Sequence, residues 1–202
     1  MKTVSSFAVT VLLLCVPCLS FSQNVTMLER LFEGFDSSCV CMGFTYSLDT
    51  ESAKVVGKGD LQVQGTSYHM TGNGLEVFCD GSSSWIIDDS AMEVVIEPAA
   101  DGAEAAGISP ALLLARLEEI FVVESSRDGR IFTMEPKVEC GVLDAVLTFN
   151  EDGRLRSCRF TLEDGQLLDV RITYIRNEQK KAASFFCPDM DFDSDWVVTD
   201  LR

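Results

Sequence analysis

The chain has 202 residues, with 32 Asp and Glu against 16 Lys and Arg, a formal net charge of −16. No basic cluster stands beyond Lys180-Lys181, and Arg154, Arg156 and Arg159 are flanked by Glu151, Asp152, Glu163 and Asp164, so the basic face that a nucleic-acid partner needs is excluded. A single histidine, His69, excludes a His-rich metal site, and no G-x-S-x-G nucleophile motif is present; a hydrolase on this chain would lack its usual constellation.

Residues 1–22 read as a secretory signal. Lys2 gives the charged start, Phe7 to Leu19 an apolar run too short to span a bilayer, and Ser20 and Ser22 the small residues before a cut at Gln23. Cys15 and Cys18 raise a lipoprotein signal instead, but Leu14 and Pro17 precede them where a small residue is wanted. The expectation is an exported, soluble single domain over 23–202, of a length that buries a sizeable core. Six cysteines remain: Cys39, Cys41, Cys79, Cys140, Cys158 and Cys187. They allow fifteen pairings, and burial as small apolar residues is at least as good a reading as disulfides. A C-x-C with scattered singletons fits zinc poorly; no metal or cofactor is expected.

Residues 24–36 carry Leu28, Leu31, Phe32 and Phe35 at helical spacing, with Thr26 and Glu29 placed as a capping box. Cys39 to Leu48 reads as a strand, with a turn at Glu51 to Lys54. From Gly57 to Pro98, short alternating runs are separated by Gly72-Asn73-Gly74, Asp80-Gly81 and Asp88-Asp89. That pattern predicts an antiparallel meander of about five strands. Ala99 to Gly107 is small and acidic. Ser109-Pro110 then opens a second helix whose Leu112, Leu113, Leu114, Leu117, Ile120 and Phe121 are apolar round most of the circumference. Strands resume at Phe121, and Asp128-Gly129, Asp152-Gly153 and Asp164-Gly165 turn a second meander. The tail from Ala182 has alternating acids at Asp189, Asp191, Asp193 and Asp195. It lacks the glycine of a calcium loop and reads as a solvated acidic strand or tail.

About ten antiparallel strands exceed what a flat sheet holds. The expected fold is mainly β with helices (α+β): a strongly curved antiparallel sheet, or unclosed β-barrel, with a helical lid. Strand parity groups the candidate lining. Leu61 pairs with Val63, Tyr68 with Met70, Leu75 with Val77, and Met92 with Val94 and Ile96; Leu168, Val170, Ile172 and Tyr174 share a face of a later strand. A filled core explains any one such strand. Many strands and an apolar helix converging, with little aromatic volume to fill a wide barrel, point to a cavity. His69 alternates away from Tyr68 and Met70, which predicts a solvated sheet position.

Asp80-Gly81, Ser84-Trp85-Ile86-Ile87-Asp88 and Met92-Glu93-Val94-Val95-Ile96, with the two helices and Phe185 to Pro188 in order around them, resemble the periplasmic outer-membrane lipoprotein carrier proteins, the LolA-like group. The resemblance implies an unclosed barrel lidded by helices, whose apolar cavity takes the acyl chains of a lipoprotein in the periplasm. It implies an inner-membrane transporter as donor, an outer-membrane acceptor and a monomeric shuttle. The alternative on the same fold is a lipid- or protein-binding sensor; neither is an enzyme. The implied cavity residues are Leu61, Val63, Tyr68, Met70, Leu75, Val77, Trp85, Met92, Val94, Ile96, Val170 and Ile172, with Leu113 and Leu117 from the lid. The family's lid-closing arginine has no counterpart, since Val63-Gln64-Gly65-Thr66 stands in its place.

Overall fold

A computed structural model describes residues 25–99, 121–189, 192 and 195–202. It opens with α1 (Val25–Ser37), which buries Leu28, Leu31 and Phe35 at the predicted spacing. The expected capping box and Phe32 fall among side chains outside the described set. The helix ends where the Ser38 amide and hydroxyl both donate to the Gly34 carbonyl, at 3.0 and 2.7 Å. Gly65 N–H donates to the Phe35 carbonyl at 2.9 Å, fixing the last turn of α1 to the turn after the second strand.

Twelve strands follow: β1 (Cys39–Asp49), β2 (Lys54–Gln64), β3 (Ser67–Gly72), β4 (Leu75–Cys79), β5 (Ser83–Asp88), β6 (Glu93–Pro98), β7 (Phe121–Ser125), β8 (Ile131–Pro136), β9 (Val142–Phe149), β10 (Leu155–Leu162), β11 (Leu167–Glu178) and β12 (Val197–Asp200). They form one sheet in the order β12-β6-β5-β4-β3-β2-β1-β11-β10-β9-β8-β7. The sheet is curved and unclosed. The predicted meanders are its two halves, joined where β1 pairs with β11 along its whole length.

Two expectations are corrected. The strands number twelve rather than about ten. The sheet is mixed rather than purely antiparallel, because the tail read as solvated supplies β12, parallel to β6. The predicted helix over Ser109 to Phe121, the proposed lid, lies outside the described residues except for Phe121, which begins β7.

Turn chemistry places the hairpins. Asn73 and Gly74 both hold positive φ, 54° and 83°, as a tight hairpin demands. Asp80 closes its turn through Oδ1, which accepts from the amides of Ser82 and Ser83 at 2.7 and 2.8 Å. Asp88 Oδ1 likewise accepts from the amides of Ser90 and Ala91 at 2.9 and 3.0 Å and from the Ser90 hydroxyl at 2.6 Å. These bonds, the Ser90 hydroxyl foremost, hold the Asp88 carboxyl below its ordinary range. The two aspartates of the Asp80 to Asp88 block are therefore turn-closers.

The centre of the sheet depends on missing side chains. A Cβ on Gly43 would come 2.3 Å from the Tyr174 ring. Tyr174 lies across Gly43 and donates its hydroxyl to Asp60 Oδ1 at 2.7 Å. On the other side of the sheet, a Cβ on Gly59 would meet the Thr71 carbonyl oxygen at 2.3 Å and Phe44 Cζ at 2.7 Å. The ring could turn aside; the neighbouring backbone could not without breaking β2–β3 pairing. Gly59→Ala is expected to cost at least the ~1–3 kcal/mol typical of overpacking. An unchanged denaturant midpoint would show that the strands part more easily than this.

Candidate functional site

Cross-strand register sorts the side chains onto two faces, because residues directly opposite one another project to the same side. On the inner face, Val40, Val63, Tyr68, Cys79 and Ser84 stand in one row, and Met42, Leu61, Met70, Val77 and Ile86 in the next. In the other half, Val170, Cys158, Leu147 and Phe132 line up in the same way. Leu28, Leu31 and Phe35 of α1 join Val40, Leu61, Val63, Phe121, Met134, Phe149 and Phe160 in one apolar cluster running through both halves. Phe44, Tyr46, Met70, Val77 and Ile172 are half-buried against it. The Phe44 and Tyr46 rings pass over Gly59 and Gly57, whose missing side chains leave them room.

This inner face is the candidate binding surface. It brings together Leu61, Val63, Tyr68, Met70, Val77, Val170 and Ile172 of the expected lining. Leu75 is on the same face by parity but is exposed at 41%. Four other expectations land elsewhere. Trp85, Val94 and Ile96 are on the outer face, in a second cluster with Phe78 and Ile87. Met92 sits in the turn before β6 at φ 55°, exposed at 40%. Leu113 and Leu117 lie outside the described residues. Tyr174, grouped with Ile172 by parity, is turned to the outer face by a bulge: Gly43 pairs with Tyr174 and Phe44 with Ile172, leaving Thr173 unpaired.

Part of the outer face is covered by the described residues of the C-terminal segment. After β11 the chain folds back, and the Gln64 side chain holds it through two bonds. Lys181 N–H donates to Gln64 Oε1 at 2.8 Å, and Gln64 Nε2 donates to the Lys181 carbonyl at 3.2 Å. Phe186, in a 3₁₀ turn (Ala183–Phe186), is buried on Cys39 and Cys41. Phe192 and Trp196 meet edge to face at 5.2 Å over the second cluster. The predicted solvated position of His69 is corrected by the same segment. Its ring is stacked on Phe78 at 4.2 Å and covered edge-on by Phe185 at 5.7 Å, with Nε2 2.7 Å from Glu76 Oε1. At the position where the resemblance implies a latch on the lid, Gln64 fastens a strap to the opposite face.

The six cysteines among the described residues are free thiols, five of them buried, in line with the small-apolar reading. Burial pushes the Cys158 thiol up to about 12. Burial, then the neighbouring Cys41, raises Cys39 to about 11. Neutral thiols held this far above neutrality are poor nucleophiles. The described residues hold no cluster of His, Cys, Asp and Glu able to bind a metal.

No family model and no curated protein matches the chain. Solved structures do. An uncharacterized conserved protein from Thermus thermophilus aligns at a TM-score of 0.53 and 10% identity, over 88% of this chain and 99% of that one. The chain shares its fold. A LolA superfamily protein from Nitrosomonas europaea aligns at a TM-score of 0.47 and 10% identity, over 82% and 98% of the two chains. A DUF1329 family protein from Desulfovibrio piger aligns at 0.44 and 8%, over 81% and 95%. At such identities the likeness is one of fold, and function rests on the site.

Proposed function

We propose that the chain is an exported carrier that takes acyl chains of lipoproteins onto its inner face and moves them through the periplasm towards the outer membrane. The observation that carries this reading is the continuous apolar face of an unclosed sheet, with Phe44, Tyr46, Met70, Val77 and Ile172 half-buried along it. A shuttle for acyl chains needs such a face, since each methylene withdrawn from water gains about 0.8 kcal/mol. Leu61, Val63, Tyr68, Met70, Val77, Val170 and Ile172 form the proposed lining, with Leu75 at its edge. Leu113 and Leu117 of the predicted helix are the proposed cover. The protein works as a monomer, receives cargo from an inner-membrane transporter and passes it to an outer-membrane acceptor. Residues 1–22 direct its export. It performs no catalysis and uses no cofactor.

The test is lipid extraction of the protein purified from its own cells, together with displacement of a hydrophobic dye by fatty acid. Stoichiometric acyl chains and competitive displacement are expected, along with slowed arrival of lipoproteins at the outer membrane in depleted cells. Acyl chains bound without any such delay would make the protein a lipid-responsive sensor. Protein consistently free of acyl chains and blind to the dye would overturn the binding face itself.

A further inference from the structure

At the end of the sheet away from α1, the outer face is not covered by the described part of the C-terminal segment and carries a feature that acyl-chain binding does not use. A depression of about 610 Å³ opens over β2, β1 and β11, lined among others by Thr45, Ser47, Lys58, Asp169 and Arg171. The register puts Lys58 opposite Thr45 and Thr45 opposite Arg171. Neighbouring strands are ~4.8 Å apart, so the Lys58 and Arg171 α-carbons are about 10 Å apart, within converging reach of two long side chains. Thr45 stands between them, and Ser47 follows two residues on, on the same side.

Lys54, at the same depression, is paired with Asp49 at 2.8 Å. Asp169 is paired with Arg159 at 2.8 Å, so its carboxylate is already satisfied. Lys58 and Arg171 have no ion-pair or hydrogen-bond partner among the described residues. Among the described residues this leaves two unpaired cations at one depression. A further depression of about 470 Å³ shares Thr45, Lys58 and Asn73 and runs on past Thr71, giving space for the remainder of a ligand.

We propose that this outer-face depression binds a phosphate group, borne by a lipid headgroup or by a soluble phosphoester. Arg171 presents its planar fork to two oxygens, Lys58 a point charge from the other side, and the Thr45 and Ser47 hydroxyls the remaining donors. A phosphomonoester offers three terminal oxygens, and a phosphodiester two besides its ester oxygens, enough acceptors for all four groups. The rest of the surface repels anions, so binding here has to be local and saturable rather than a diffuse attraction.

The test titrates the full mature chain with glycerol 3-phosphate and, separately, with phosphatidylglycerol vesicles against phosphatidylcholine vesicles. At least one anionic probe is expected to saturate, to weaken as salt rises, and to lose tenfold or more in affinity in the double variant Lys58→Gln, Arg171→Gln. Both side chains are exposed, so the double variant keeps the fold. Arg127→Gln, which removes an exposed cation in the β7–β8 turn, is expected to bind as the parent does. Saturation by the ester alone assigns a soluble phosphoester, and saturation by anionic vesicles a headgroup. The proposal is overturned if neither probe saturates, if the double variant binds like the parent, or if Arg127→Gln weakens binding equally.

Discussion

Met70→Glu is expected to weaken acyl-chain uptake at least tenfold by dye displacement, while Trp85→Gln leaves uptake within twofold of the parent. Both positions are half-buried on neighbouring parts of the first meander, and before the register is known both belong to one list of lining residues. The register separates them. Met70 is opposite Leu61 on β2 and Val77 on β4, on the face where α1 lies. Trp85 is opposite Phe78 and Ile96, on the face covered by Phe192 and Trp196. A carboxylate at position 70 puts an unpaired charge where, on the proposed function, a methylene chain lies. An acyl chain cannot offer it a hydrogen bond, so the penalty falls on the loaded state. In the empty state the half-exposed Glu keeps its water, and the fold is little affected. Trp85→Gln acts in the opposite sense. It removes the aromatic floor beneath the terminal segment and costs about 1–3 kcal/mol of stability, below the range for a fully buried Trp. Its effect is read in the melting temperature and in hydrogen exchange of β12. Loss of uptake in Trp85→Gln with none in Met70→Glu would place the binding surface on the other face.

The same pair of residues marks how far the sequence could be read. Alternation within each strand was legible: Leu61 with Val63, Tyr68 with Met70, and Trp85 apart from Ile86 all behave as a period of two requires. Alternation does not say which parity of one strand matches which parity of the next. That is decided by hairpin register, and a shift of one residue exchanges the faces. The β4–β5 hairpin pairs Phe78 with Trp85 and Val77 with Ile86. Trp85, Val94 and Ile96 thus look outwards. The thinly buried parity on β6 is the inner one, where Val95 is half-buried while Val94 and Ile96 are buried. The bulge at Thr173 is a second illegible event, because nothing in Val170-Arg171-Ile172-Thr173-Tyr174 announces an extra residue. Gly43 opposite carries the only hint, since a ring crossing β1 needs a position without a side chain. The cover that the tail supplies was missed for another reason. Its acids dominate the pattern, and the four aromatics Phe185, Phe186, Phe192 and Trp196 are spaced for neither helix nor strand. What they cover is set by the long-range hold of Gln64 on Lys181, 117 residues away in sequence, which no local window contains.

That hold leads to the largest expected change in stability. Phe186 is 1% exposed and rests on Cys39 and Cys41. Truncation of a buried Phe to Ala costs about 3–5 kcal/mol when the site cannot collapse. The strap gives the molecule an alternative: it can come away from the sheet as a unit while β1 to β11 stay paired. Local opening then limits the global loss to whatever the strap itself contributes. The two responses differ at the thiols beneath. Cys39 is 0% and Cys41 1% exposed, and burial, its first cause, raises Cys39 to about 11, so in the parent neither reacts with a thiol reagent under mildly alkaline conditions. In Phe186→Ala both are expected to label within the time that Cys158, on the inner face, stays protected. Removing the desolvation also brings the Cys39 pKa down towards its ordinary value of 9.0, which raises the thiolate fraction and speeds the reaction further. Phe35→Ala is the control. It removes a comparably buried ring from α1 on the inner face, costs a similar few kcal/mol, and leaves Cys39 and Cys41 covered. Equal labelling of Cys158 and the Cys39–Cys41 pair in Phe186→Ala would mean that the sheet opens as a whole and that the strap is not a separate unit. Protection of Cys39 and Cys41 despite a lowered melting temperature would mean that the Gln64 bonds and β12 suffice to keep it seated.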